Sequence, residues 1–229
     1  NGSDEVLAHT FFALLKHDKP LLFPDITYSF YPVYCSLYRV EFELIALNAD
    51  YQIEAQDYLR SNGGIIFPNP NAPTGRALSN AEIGVIVEGN PNSVVVVDEA
   101  YIAFGSESAV PLTKRYANLL VIRTLSKSHA LAGLRLGFAI RHSDLIGALN
   151  LVKGCFNSYP IDTLALAGAE AAINDREYLH SITAAIVEQR RILTAGLAEL
   201  GFEVLPSKAN FVFARHRTQN SFGNETYPS

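Results

Sequence analysis

Short apolar runs rich in branched side chains alternate along this chain with segments of helical period, and this alternation limits the possible fold more than any other feature. The apolar runs cover residues 21–23, 40–47, 64–67, 93–97, 118–122 and 137–140. Between them, apolar residues recur with helical spacing over residues 4–16, 27–37, 54–61, 79–88 and 128–133. A continuous apolar run is typical of a strand that is buried on both faces. The repeated order of strand, helix and strand therefore predicts an α/β fold with a mainly parallel sheet flanked by helices.

The pattern changes in the last third of the chain. There the predicted elements are a long amphipathic helix over residues 144–200 that breaks at residues 157–160, and strands over residues 202–205 and 210–214. The stretch from Arg217 onward has no apolar period and is interpreted as a loop or a truncated end. These changes predict a large domain over residues 1–158 and, over residues 159–229, connecting helices with the start of a smaller α+β domain.

Charge and composition argue against two classes of partner. The 229 residues carry a formal net charge of -5 and 48% of them are hydrophobic, so we expect a sizeable core but no basic surface for nucleic acid. No apolar stretch reaches the roughly 20 residues that a membrane-spanning helix needs. Cys35 and Cys155 match no metal-binding spacing, and they are interpreted as reduced thiols of a cytoplasmic protein, with a disulfide as the alternative.

A carboxylate follows one of the buried runs. Residues 94–97 are all valine, and Asp98 comes directly after them. Burying a carboxylate costs several kcal/mol unless the carboxylate faces a cation or a hydrogen-bond donor. Asp98 therefore needs a positively charged partner. Considered alone, Asp98 could also cap a helix or bind a metal ion.

The next predicted strand runs into a segment with phosphate-binding chemistry. Thr124 and Ser126 supply hydroxyl groups, and Arg135 supplies a guanidinium group between two glycines that allow close approach of the backbone. Lys127 lies among these residues. A lysine beside cations in a sheltered pocket can be neutral, and a neutral amine can attack an aldehyde. The alternatives are a solvated surface lysine and a structural ion pair for Arg135.

A rigid loop follows the third predicted strand. Residues 68–75 read Pro-Asn-Pro-Asn-Ala-Pro-Thr-Gly, and the prolines restrict the backbone of this loop. Its asparagine amides can hydrogen-bond a ring hydroxyl, although the loop could also be a simple connection between a strand and a helix. Because ligands bind at the carboxyl ends of parallel strands, this loop, Asp98 and Lys127 are all placed where binding chemistry is expected.

Together these segments resemble the fold-type I aminotransferases of classes I and II, which depend on pyridoxal 5'-phosphate (PLP). The matching motifs are the asparagine-rich Pro-Thr-Gly loop at residues 69–75, Asp-x-x-Tyr at Asp98 and Tyr101, and Ser-Lys followed by Arg at Ser126, Lys127 and Arg135. Their order and spacing agree with the family, and the resemblance runs from residue 1 to about residue 214. Residues 98–101 and 131–137 are most similar to the histidinol-phosphate aminotransferases and their near relatives.

The resemblance assigns roles around the cofactor ring. Lys127 would hold PLP covalently and act as the general base and acid of catalysis. Asp98 would pair with the protonated pyridine nitrogen, which is the cation that this buried carboxylate requires. Tyr101 would hydrogen-bond the 3-hydroxyl oxygen of the ring. Tyr28 would stack on the ring face, the alternative being that Tyr28 is a core residue.

The proline-rich loop departs from the family at one position. Relatives usually have an asparagine directly before Pro-Thr-Gly, whereas this chain has Ala72 there. Asn71, one position earlier, is therefore assigned to the ring hydroxyl. His129, two positions after Lys127, is interpreted as a packing residue of its loop.

The resemblance also predicts where the cofactor phosphate binds. The chain begins with a helix whose first backbone amides, those of Ser3 and Asp4, would meet the phosphate at the positive end of the helix dipole. Thr124 and Ser126 would add hydroxyl groups, and Arg135 would complete the phosphate site.

The implied reaction is transfer of an amino group between histidinol phosphate and 2-oxoglutarate in histidine biosynthesis, by a cytoplasmic homodimer. The alternatives are an aminotransferase for aromatic or other amino acids, a related PLP decarboxylase, and an inactive homologue that still binds PLP. Relatives have a segment before the phosphate-binding helix and a distal arginine that binds the substrate carboxylate, and neither has a match here. We therefore expect a chain that is truncated at both ends, binds PLP and transaminates poorly by itself.

Overall fold

A computed structural model describes residues 1–216 and confirms the predicted α/β fold. One sheet has six strands in the order β2-β1-β3-β4-β5-β6, in which β1 to β5 are parallel and β6 is antiparallel to β5. The strands are β1 (Leu21–Pro24), β2 (Phe42–Ile45), β3 (Gly64–Pro68), β4 (Val95–Asp98), β5 (Leu119–Thr124) and β6 (Gly137–Ile140). The apolar runs therefore predicted every strand of this sheet.

Six α-helices are present in the described residues. They are α1 (Gly2–Leu14), α2 (Tyr31–Tyr38), α3 (Asn80–Gly89), α4 (Ser143–Phe156), α5 (Thr163–Asn174) and α6 (Arg176–Glu199). The part of the predicted helix that follows the break at residues 157–160 is in fact two helices, because Asp175 caps a new one: its side chain accepts a hydrogen bond from the amide of Tyr178 at 3.0 Å. No helix among residues 1–216 is both long and apolar enough to cross a membrane.

The core lies on both faces of the central strands. In β4, Val96 belongs to the same buried cluster as Phe11 of α1, whereas Val95 and Val97 belong to the cluster that contains Ile83 of α3. Adjacent strand residues point to opposite faces, so an uninterrupted valine run is needed to fill two apolar layers. Each such side chain contributes about 1.5–3 kcal/mol by its burial. This packing fixes the end of β4, and with it the position of the residues that follow.

Several predicted elements differ from the structure. Residues 54–61 form only a short 3-10 turn at Ala55–Tyr58, and residues 128–133 form no α-helix because Ala130 has a left-handed backbone, with φ of 55°. The strand predicted at residues 40–47 is not buried: β2 is an edge strand, and only Ile45 is covered. An edge strand lacks a neighbour on one side, so its outer residues meet solvent.

A small second sheet follows α6. It pairs β7 (Phe202–Val204) with β8 (Ala214–His216) in antiparallel register, so the last strand begins where the predicted one at residues 210–214 ends. The segment between these strands returns to the large sheet, where the amide of Lys208 donates a hydrogen bond to the carbonyl of Gly75 at 2.8 Å. The interpretation of the stretch from Arg217 onward lies outside the described residues.

Candidate active site

The loops after β3, β4 and β5 meet the start of α1 around a cavity of about 140 Å³. Of the predicted site residues, the cavity is lined by Ser3, Asp4, Tyr28, Asp98, Tyr101, Thr124, Ser126, Lys127 and Arg135. Two larger cavities, of about 440 and 610 Å³, include neither Lys127 nor Asp98 in their linings. The candidate site is therefore identified by the chemistry of its lining residues and not by the volume of the cavity. It lies at the sheet edge where parallel α/β proteins bind ligands.

Asp98 is a buried carboxylate with no cationic partner among residues 1–216. It is 5% exposed, its Oδ1 accepts a hydrogen bond from the amide of Ala100 at 3.1 Å, and its Oδ2 accepts one from the hydroxyl of Tyr31 at 3.5 Å. Burial raises the pKa of Asp98 to about 6, and these two hydrogen bonds lower it only in part. A ligand with a protonated ring nitrogen would supply the positive charge that this carboxylate lacks among the described residues.

Lys127 and Tyr101 form one wall of the cavity. Lys127 Nζ lies 5.6 Å from the centroid of the Tyr101 ring. The side chain of Lys127 is exposed, so residues 1–216 do not form the sheltered pocket that was considered for it. The amine remains open to an incoming aldehyde.

The lining of the cavity also carries anion-binding groups. The amides of Ser3 and Asp4 lie in the first turn of α1, where backbone N–H groups have no partner within the helix. Thr124 Oγ1 donates a hydrogen bond to Ser126 Oγ at 2.9 Å, and the guanidinium group of Arg135 faces the same space. This combination of amides, hydroxyls and a guanidinium group fits a phosphate.

The side chain of Asp4 was not predicted to be part of the cavity, and it takes part in two contacts there. Asp4 Oδ2 lies 3.0 Å from Nη2 of Arg135, and Asp4 Oδ1 accepts a hydrogen bond from the hydroxyl of Tyr28 at 3.2 Å. Burial and then the charge of Asp4 raise the pKa of Tyr28 to about 12, so Tyr28 stays protonated. Asp4 therefore orients both side chains among the anion-binding groups.

Asn71 is the one predicted site residue that the structure does not bring to the cavity. Its amide is buried and occupied: Oδ1 accepts a hydrogen bond from Thr27 Oγ1 at 3.1 Å, and Nδ2 donates one to the carbonyl of Ile26 at 2.9 Å. Ala72 lines the cavity in its place. The amide of Asn71 fastens the proline-rich loop to the segment after β1, which is a structural role.

A polar network that no sequence pattern indicated lies beside Asp98. The carboxylate of Glu99 is fully buried and accepts hydrogen bonds from Arg123 Nε at 2.9 Å, from Ser108 Oγ at 2.9 Å and from the amide of Ala109 at 2.5 Å. Arg123 Nη2 also donates to Ser108 Oγ at 2.6 Å. Because Glu99 follows Asp98 and Arg123 precedes Thr124, this network fixes the ends of β4 and β5.

Replacing Glu99 with alanine is expected to lower the free energy of unfolding by about 3 kcal/mol, because Arg123 and the amide of Ala109 lose a buried acceptor. Chemical denaturation followed by circular dichroism measures this change. The control is Glu188→Ala. Glu188 lies 2.8 Å from Nη2 of Arg191, the same distance that separates Glu99 from Nη2 of Arg123, but the side chains of Glu188 and Arg191 are 53% and 69% exposed. The control should leave the stability nearly unchanged, because an exposed ion pair is screened by solvent. Equal effects of the two substitutions would contradict the role of the network.

Comparison with known proteins agrees with the geometry. The profile of the family described as aminotransferase class I and II matches residues 1–222. Histidinol-phosphate aminotransferase 1 of Pseudomonas fluorescens (strain Pf0-1) is 58% identical over 97% of this chain and 64% of that protein. The histidinol-phosphate aminotransferase of Gluconacetobacter diazotrophicus is 61% identical over 94% of this chain and 61% of that protein.

The fold is shared with solved structures. The crystal structure of histidinol-phosphate aminotransferase from Sinorhizobium meliloti in complex with pyridoxal-5'-phosphate gives a TM-score of 0.82 at 22% identity, over 93% of this chain and 59% of that one. The chain thus spans less than two thirds of the length of the two curated relatives, 64% and 61%. Taken with the match of the family profile over residues 1–222, these findings show that the chain belongs to the class I and II aminotransferases.

Proposed function

We propose that this chain binds PLP in the cavity at Lys127 and Asp98, and that the protein carrying it transfers an amino group between histidinol phosphate and 2-oxoglutarate. The observation that carries the proposal is Asp98, a buried carboxylate without a cation in the described chain, 5% exposed and with a pKa raised to about 6. A ligand with a cationic ring nitrogen and an anionic phosphate would satisfy Asp98 and the first turn of α1 together.

The residues of the chain have separate tasks in this proposal. Lys127 would hold the cofactor through Nζ and, once the amine of the substrate has displaced it, the freed Nζ would take up the proton of the substrate's α-carbon. Asp98 would keep a proton on the ring nitrogen, and Tyr101 would hydrogen-bond the ring hydroxyl. When bound, PLP supplies an electron-withdrawing ring that makes the α-carbon of an amino acid acidic.

The anion-binding groups would fix the position of the cofactor. The amides of Ser3 and Asp4, the hydroxyl of Ser126 and the guanidinium group of Arg135 would hold the phosphate, while Tyr28 would cover the ring. Thr124 supports Ser126 through its hydrogen bond of 2.9 Å. Most of these groups lie at helix and strand ends, whose positions the core fixes.

The choice of histidinol phosphate rests on the curated relatives of that name, which are 58% and 61% identical to this chain. The test is a steady-state assay of the protein that carries this chain, with PLP, 2-oxoglutarate and each amino donor, in which glutamate formation is measured. We expect kcat/KM for histidinol phosphate to exceed that for tyrosine or phenylalanine by about 100-fold or more. A preference for an aromatic amino acid, or release of carbon dioxide, would refute the proposed substrate.

The assembly and location are part of the same proposal. The side chains of Leu151, Phe156, Tyr159 and Leu164 are large, apolar and exposed around the end of α4, and an exposed apolar patch of this kind favours a homodimer. The proposed domain boundary lies at residue 158. The large domain precedes it, and the connecting helices and the start of the small domain follow it. Cys35 and Cys155 are both free thiols, which supports a cytoplasmic location. Sedimentation of the parent chain and of Phe156→Glu tests the dimer.

A further inference from the structure

The ring of Tyr101 is held by packing and not by its hydroxyl group. Phe211 meets it edge to face, with 5.0 Å between the ring centroids and an angle of 86° between the planes. Lys127 Nζ also lies near this ring, 5.6 Å from its centroid. None of the hydrogen bonds within residues 1–216 involves the hydroxyl of Tyr101, so the direction of that hydroxyl depends on the contacts of the ring.

Phe211 belongs to the segment between β7 and β8, which is fastened to the proline-rich loop. The amide of Lys208 donates a hydrogen bond to the carbonyl of Gly75 at 2.8 Å. Ser207 packs so closely that a Cβ on Gly75 would lie 2.4 Å from Ser207 Oγ. The same hydroxyl donates a hydrogen bond to the carbonyl of Phe211 at 2.6 Å. Phe211 is therefore tied to a loop that borders the cavity, although Phe211 itself does not line the cavity.

Arg190 of α6 forms hydrogen bonds with both of the segments that carry Tyr101 and Phe211. Its Nη1 donates a hydrogen bond to the carbonyl of Phe104, in the turn that follows Tyr101, at 3.0 Å. The same nitrogen donates to the carbonyl of Ala209, two residues before Phe211. Ala209 is fully buried, so this junction is a packed part of the molecule. One guanidinium group thus sets the spacing between the Tyr101 turn and the Phe211 segment.

We propose that Phe211 is a positioning residue for Tyr101, with Arg190 as its anchor, so that the small second sheet determines the direction of a cofactor-facing phenol. This inference rests on the proposed function, since Tyr101 would hydrogen-bond the ring hydroxyl of PLP. Without the edge of Phe211, the Tyr101 ring can rotate away from the cavity. The aromatic pair is worth about 0.5–1.5 kcal/mol, which corresponds to about a twofold to tenfold change in an equilibrium constant.

The test compares Phe211→Ala with Phe213→Ala. Phe213 is an aromatic residue of the same segment, but its ring packs on Tyr51, at 5.5 Å, away from the cavity. The dissociation constant of PLP is measured by absorbance titration, and the Tyr101 ring is followed by NMR of ring-labelled tyrosine without cofactor, assigned with Tyr101→Phe. We expect Phe211→Ala to raise the dissociation constant about twofold to tenfold and to move the Tyr101 signal. Phe211→Tyr keeps the aromatic ring, so its dissociation constant for PLP and its Tyr101 signal should match those of the parent. Arg190→Met should raise the dissociation constant and move the Tyr101 signal, but less than Phe211→Ala does.

The outcomes separate this inference from the proposed function. Absence of PLP binding in the parent chain would refute the proposed function. An unmoved Tyr101 signal in Phe211→Ala, measured without cofactor, would refute the positioning of Tyr101 by Phe211 whether or not PLP binds. If the parent binds PLP and the two alanine variants weaken binding equally, Phe211 acts only on general stability and the inference is wrong. Circular dichroism and thermal unfolding of both variants identify a folding defect, and Phe211→Tyr then decides the question because it keeps the ring.

Discussion

Replacing Asp98 with asparagine is expected to weaken PLP binding about 100-fold and to lower the transamination rate by on the order of 1000-fold. The amide has nearly the shape of the carboxylate but no charge, so it cannot hold a proton on the ring nitrogen of the cofactor. The dissociation constant of PLP and the steady-state rate measure these effects. Asp144→Asn is the control, because Asp144 is an exposed carboxylate in the first turn of α4. If Asp98→Asn binds PLP as the parent does, a group other than Asp98 meets the ring nitrogen.

The same substitution should stabilise the protein without its cofactor. Burial raises the pKa of Asp98 from its ordinary value of 3.8 to about 6, so the ionised form is less favourable in the folded chain than in the unfolded chain. The stability of the parent therefore falls as the pH rises from about 4 to about 6, by at most about 3 kcal/mol from this group. Denaturation of both proteins at pH 4 and pH 7 isolates this contribution. Asp98→Asn should lack it, and an equal pH dependence of the two proteins would contradict the assignment.

Replacing Gly137 with alanine is expected to separate α1 from β6 and to disrupt the phosphate site. A Cβ on Gly137 would lie 2.3 Å from the backbone nitrogen of Ser3 and 2.5 Å from the carbonyl carbon of Gly2. Backbone atoms cannot move aside as a flexible side chain does, so the first turn of α1 must shift. The free energy of unfolding should fall by about 3 kcal/mol. Binding of PLP should weaken by about tenfold or more, measured by absorbance titration.

A control variant and a second ligand complete the test of Gly137→Ala. Gly147 lies inside α4 and an added Cβ would meet nothing within 4 Å, so Gly147→Ala should raise stability by about 0.5–1 kcal/mol through helix propensity. Pyridoxal lacks the phosphate group, so its binding should suffer much less than that of PLP. An equal loss for both ligands would show that Gly137 does not act on the phosphate site.

Much of the fold and of the candidate site could be predicted because their determinants are local. The valine run before Asp98 marks a strand buried on both faces, and the end of that strand fixes where Asp98 lies. Lys127 and Tyr101 follow neighbouring strands of a parallel sheet, whose carboxyl ends lie at one edge. The spacing of these residues along the chain therefore carried information about their position in space.

The features that could not be predicted depend on contacts between distant parts of the chain. The amide of Asn71 turns toward Thr27, whose position depends on the segment after β1. Glu99 and Arg123 pair across adjacent strands, and neither apolar period nor motif indicates such a pair. Phe211 reaches Tyr101 only because the second sheet folds back onto the first.

Lys127 is proposed to hold the cofactor, and reduction of the complex with borohydride is the direct test of this role. The purified chain is incubated with PLP, reduced and digested, and the peptides are analysed by mass spectrometry, with Lys127→Ala treated in parallel. We expect the mass of the reduced cofactor on the peptide that contains Lys127, and no protein-bound Schiff-base band in the variant after free PLP is removed. A label on Lys153 or Lys208 instead, or a band that persists in Lys127→Ala, would contradict it.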